Sequence, residues 1–128
     1  MIRGSHVKAL CKAVKKYEVK MLWLDANQLG DAGAKAIAAM LRTNRSLTYL
    51  SLSSNKIGDA GAKATAAILR TNRSLTYLAL GGSRNNIGDA GKKALLDAVK
   101  GRKGFELGHI ADAPPSLRTY GRMRTDGL

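Results

Sequence analysis

Cysteine is nearly absent from this sequence. Cys11 stands alone, which excludes an intramolecular disulfide and any zinc site built on cysteines. Without stapling, a reducing compartment is expected, and we read the chain as cytoplasmic. The two prolines, Pro114 and Pro115, are adjacent and mark the end of regular structure. Aromatic residues make up 5% of the chain, so Ala and Leu must supply the core through small contacts repeated between layers. No run of about eighteen apolar residues occurs, which excludes a membrane-spanning helix. The first six residues, MIRGSH, lack the apolar segment of a signal peptide and are expected as a vector-derived leader outside the fold. Acidic residues are outnumbered, 9 against 22 Lys and Arg. The net charge of +13 permits weak attraction to nucleic acid or acidic membranes without saying where it acts.

What is present is a repeat. Residues 19–46 read VKMLWLDANQLGDAGAKAIAAMLRTNRS and residues 47–74 read LTYLSLSSNKIGDAGAKATAAILRTNRS. From Asp31 to Ser46 and from Asp59 to Ser74 only two of sixteen positions differ, Ile37 against Thr65 and Met40 against Ile68. A third copy, residues 75–104, carries two extra residues between Leu80 and Ile87, where its turn is expected to bulge.

Each copy divides into a strand half and a helix half. The strand half has apolar residues at its first, fourth and sixth places, Leu47, Leu50 and Leu52 in the second copy. Alternation over Leu50 and Leu52 is the period of a strand with one buried face. An asparagine follows (Asn27, Asn55, Asn85), then an apolar residue, then a Gly-Asp-Ala-Gly segment that opens a helix. Asp31, Asp59 and Asp89 are placed to cap the helices they precede. The helices carry one apolar face, and Arg42 and Arg70 suit the negative ends of their dipoles.

The Leu-x-x-Leu-x-Leu-x-x-Asn-x-Leu/Ile frame, with Gly33, Gly61 and Gly91 behind it, resembles the leucine-rich repeats of the ribonuclease-inhibitor class, found also in NOD-like receptors and the Ran GTPase-activating protein. The resemblance covers residues 19–104. It implies a right-handed α/β solenoid, a short arc with a parallel sheet on the concave face and helices on the convex face. It also implies a structural ladder of Asn27, Asn55 and Asn85, their side chains bonded to backbone groups of the turns.

The expected domain runs over 7–110. A capping helix at 7–18 matches the helix half of a repeat with one loop residue deleted. The repeats follow at 19–46, 47–74 and 75–104, then a terminal strand at 105–110. That strand is expected to be weak, because Gly108 falls at the fourth place where leucine belongs. Residues 111–128 have no period and are expected as an irregular or mobile tail.

The residues between the buried leucines face out of the concave sheet. Met21, Tyr49 and Tyr77 share one repeat place and should form a row, with Trp23 beside it and Asp25 and Ser51 nearby. Trp and Tyr are frequent binding hot spots, so this face is the expected site for a protein partner, although tyrosines on a sheet also stabilise it by cross-strand packing. The positive charge has a different address, on the helices and the loops after them, from Lys35 and Arg42 through Lys63 and Arg70 to Lys100 and Lys103. Non-specific nucleic-acid binding through that face is an alternative; sequence-specific binding is not expected, since no aromatic residues interleave the charges. His6 and His109 join no catalytic constellation, and Cys11 beside Lys8, Lys12 and Lys15 reads as a residue of the capping helix rather than a reactive thiol. No enzyme, cofactor or metal is expected. Another alternative is assembly, with two copies stacking through incompletely capped repeat ends, or a consensus-designed scaffold with no natural ligand.

Overall fold

The computed structural model describes residues 2–81 and 84–108, together with the backbone of 118–119 and 122–124. A 3-10 turn, Gly4–His6, leads into α1 (Val7–Lys16). Strands and helices then alternate: β1 (Met21–Trp23), α2 (Gly30–Leu41), β2 (Tyr49–Ser51), α3 (Asp59–Leu69), β3 (Tyr77–Ala79), α4 (Asp89–Val99) and β4 (Glu106–Gly108). The strands β1 to β4 pair in parallel and in sequence order, so each copy adds one strand and one helix to the stack. The result is an α/β leucine-rich-repeat solenoid.

The central leucines Leu50, Leu78 and Leu107 lie in register and point at the helices, where they are fully buried. They meet the apolar faces of α2 (Ala34, Ile37, Leu41), α3 (Ala62, Ala66, Leu69) and α4 (Leu95, Val99) in one continuous core. Thr65 is buried where the neighbouring helices have Ile37 and Leu95, and it satisfies its hydroxyl by donating to Gly61 O at 2.9 Å.

The asparagines tie the layers together. Asn55 donates to Leu24 O at 2.7 Å and Ser53 O at 3.1 Å, while its Oδ1 accepts the Asn27 amide at 3.1 Å. Asn85 donates to Leu52 O and Leu80 O and accepts the amides of Asn55 and Ile57. It keeps this role despite the two-residue insertion, whose Gly82 and Ser83 lie outside the described residues. Asn27 accepts the Ile2 amide at 2.7 Å.

The aspartates act differently from expectation. Asp31 and Asp59 sit inside the first turn of their own helices and cap the next helix along. Asp31 Oδ1 accepts the amides of Gly58 and Gly61 at 2.8 and 2.9 Å, and Asp59 Oδ1 those of Gly88 and Gly91 at 2.7 and 3.1 Å. These are the free amides of α3 and α4, so each carboxylate meets the positive end of the following dipole. This contact requires glycine: a Cβ on Gly61 would stand 2.7 Å from Asp31 Oδ1, and one on Gly91 2.6 Å from Asp59 Oδ1. Asp89, on the last helix, is exposed and accepts no such amides among the described residues.

Three further expectations change. Residues 2–6, read as a leader outside the fold, are built into the first layer. Ile2 takes the place of Leu29 and Ile57, receiving a bond from Gln28 N at 2.9 Å, and Arg3 bridges Gln28. In the last strand Leu107, not Gly108, holds the fourth apolar place opposite Leu78, because the chain is one residue shorter between Phe105 and Leu107 than between Leu75 and Leu78. Residues 109 and 110 of that expected strand lie outside the described residues. Finally, two short strands occur within the region expected to be an irregular tail. They are β5 (Arg118–Thr119) and β6 (Arg122–Arg124), and β6 pairs antiparallel with the outer edge of β4.

Candidate protein-recognition surface

The sheet face opposite the helices carries a connected set of rings. Trp23 and Tyr49 have centroids 4.7 Å apart at 42°, and Tyr49 and Tyr77 stack at 4.2 Å and 5°. The register explains the diagonal. Met21, Tyr49, Tyr77 and Glu106 occupy one row across the sheet, and Trp23, Ser51, Ala79 and Gly108 the next. Side chains in the second row shrink along the stack from Trp to Ser, Ala and Gly, which leaves room for the tyrosine rings to lie across it. Tyr77 uses that room fully: a Cβ on Gly108 would stand 2.5 Å from its Oη.

Trp23 is 56% exposed and Met21 49%. Tyr49 and Tyr77 are half-buried, each braced by a neighbouring ring. Asp25 is exposed and accepts a hydrogen bond from Ser51 Oγ. Ser51 itself, expected on the open surface, is 4% exposed, because it lies in the row that the rings cover; it is part of the floor that sets Asp25. The surface is therefore an open apolar platform with the Asp25 carboxylate at one margin and Glu106 at the far end of the tyrosine row. Offset-stacked rings hold each other in place, so a partner meets side chains with little rotamer freedom left to lose.

The basic face is partly committed to structure. Arg45 donates to the carbonyls of Arg42 and Asn44, and Arg73 to that of Arg70, closing the C-terminal ends of α2 and α3. Lys93 pairs with Asp97 at 2.7 Å, which lowers the Asp97 carboxyl below its usual value. Arg102 takes over a role that the repeats give to asparagine. Asn72 donates to Leu41 O at 2.8 Å, and Arg102 to the matching Leu69 O at 2.9 Å, with its guanidinium 4.5 Å from the Phe105 ring. Burial, then the charge of Arg73, pushes Arg102 down from its ordinary value. The Asn72 loop ladder was missed in the sequence; its signal was the Thr-Asn-Arg-Ser that recurs before each of two strands.

His6 precedes α1 and accepts the Arg3 amide, and His109 lies outside the described residues. Among the described residues, no group of three His, Cys, Asp or Glu side chains converges as a metal site would require. Burial pushes the Cys11 thiol up, away from the thiolate that a nucleophile needs. No described helix is long and apolar enough to cross a membrane.

A family model described as "Leucine Rich repeat" matches residues 24–38, 43–64 and 71–96. Among solved structures, one titled "Leiomodin-1 Actin-Binding Site 2 (ABS2)" is similar at 27% identity and a TM-score of 0.77. The match covers 88% of this chain and 66% of that one, so the chain spans just under two thirds of its length. No curated protein sequence matches.

Proposed function

The chain is a leucine-rich-repeat protein, and on that premise we propose that it is a non-catalytic recognition module that binds a protein partner on its concave sheet face. Met21, Trp23, Tyr49 and Tyr77 form the contact surface, and Asp25 sets its polar margin. The observation that carries this reading is Trp23: it is the chain's one tryptophan, stands 56% exposed, and packs at a tilt on Tyr49, which in turn stacks on Tyr77. An aromatic anchor already fixed in place is the kind of residue on which binding energy concentrates. Helices in every layer and a 28-residue period favour the ribonuclease-inhibitor class of repeat, and the single cysteine favours a reducing, cytoplasmic setting.

The similar solved structure is titled as an actin-binding site, which makes actin the first partner to test. Co-sedimentation with filamentous actin would be compared for the native chain and a W23A/Y49A/Y77A variant. We expect the variant to lose on the order of 2 kcal/mol of binding or more. If actin is not bound, capture from lysate identifies another partner, scored by its loss in the same variant. A variant that stays folded and keeps every partner would remove the concave face from consideration. Polyanion binding and self-association carry less weight, since arginines of the basic face close helix ends and β6 covers the edge of β4.

A further inference from the structure

On the helix side, α1 meets α2 far more sparsely than α2 meets α3 or α3 meets α4. The space left is a groove of about 740 Å³. Its cause is in the side chains: aligned on the repeat, Cys11 and Lys12 stand where α2 has Ala38 and Ala39. Ala38 and Ala66 are buried at the closed seams, whereas Cys11 is only half-buried.

The groove has two unlike walls. Along α2 the wall is Ala36, Ala39 and Met40, the i, i+3, i+4 face of a helix made of small or flexible side chains, continued by Thr43 in the turn that follows. Along α1 the rim is Lys8, Lys12 and Lys15, all exposed, a stripe running about 10 Å along the axis. Among the described residues no carboxylate lines the groove. Small residues with one methionine over two turns let another helix approach closely, and the lysine stripe stands where that helix would carry its flank.

We propose that this seam is a second docking site, independent of the concave face, and that its occupant is an amphipathic helix of a partner protein. That helix would have its apolar face on Ala36, Ala39 and Met40 and a flank of glutamates or aspartates on Lys8, Lys12 and Lys15. Charge selects this occupant over others. A second copy of a chain with net charge +13 is repelled, and so is this chain's own C-terminal segment SLRTYGRMRTDGL, with three arginines and one aspartate.

The test uses the full chain and a fluorescein-labelled peptide of about five helical turns, with Leu on one face and Glu along one flank. A second peptide replaces each Glu by Gln. The native chain should raise the anisotropy of the Glu peptide saturably, and the bound peptide should slow alkylation of Cys11 by N-ethylmaleimide. The Gln peptide should bind about tenfold more weakly or worse, as should the Glu peptide on K8E/K12E/K15E, whose substitutions are all at exposed positions. The W23A/Y49A/Y77A variant should bind the Glu peptide normally, which separates this site from the concave face. Undiminished binding by the charge-reversed chain, or binding without protection of Cys11, overturns the proposal. Protection of Cys11 by oleate but not by the peptide overturns it too, since the seam would then hold an anionic lipid.

Discussion

The closed seams between α2, α3 and α4 and the open seam between α1 and α2 join helices of one repeating design. At each closed seam the earlier helix contributes a carboxylate to the amides of the later one, and a glycine on the later helix receives it. The first layer has Gly4 at the place of Asp31, so α2 lacks such a cap. Its opening is rebuilt: Gly30 takes φ +65° and donates to Asn55 O, and the helix begins one residue earlier in the repeat than α3 does. Two adjacent alanines become Cys11 and Lys12, and the helices part. Helix packing in this stack is thus set as much by one aspartate–glycine pair per layer as by the apolar faces.

That comparison can be broken at graded cost. Asn55→Ala should be the most damaging change, about 3 kcal/mol in urea titration followed by circular dichroism, because it removes three hydrogen bonds of a fully buried side chain and leaves the Asn27 amide without its acceptor. Asn27→Ala, at a half-exposed turn, should cost roughly 1 kcal/mol. Gly61→Ala and Gly91→Ala should each cost about 2 kcal/mol, since the new methyl displaces the cap carboxylate as well as crowding the seam. Asp59→Ala should cost about 1 kcal/mol by loss of the cap, while Asp89→Ala should change stability by less than about 0.5 kcal/mol. Equal losses for the two aspartates would show that the carboxylate serves its own helix, contrary to the geometry. The smallest effect concerns reactivity. With its thiol raised by burial, Cys11 should alkylate with a pH midpoint above that of free cysteine, so the rate at neutral pH is low and rises on the alkaline side.

The period of 28 made the strands, helices and asparagines legible, because a copied segment repeats its contacts along with its residues. What escaped lay between copies. Capping preferences describe a residue and the turn beside it, so Asp31 was assigned to its own helix, although its partners Gly58 and Gly61 lie 27 and 30 residues later. Alternation places Ser51 outward, correctly for its direction, but cannot show that neighbouring rings cover it. The shrinking row Trp23, Ser51, Ala79, Gly108 held that information. Gly108 was misplaced because a one-residue shortening of the preceding loop leaves no mark except through pairing with β3. The groove was readable in principle, since 7–18 aligned as the helix half of a repeat puts Cys11 and Lys12 at alanine places, but how far two larger side chains part a seam is a matter of packing that alignment does not give.

Because Asp31 and Asp59 each serve the helix that follows, the stack has a direction in time as well as in space. Synthesis delivers α2 before α3 and α3 before α4, so α3 and α4 each emerge after the carboxylate that caps them. Growth from the other end would form each helix with its opening amides bare until the earlier layer arrived. The caps of α3 and α4 thus come from chain that has already been made when those helices begin.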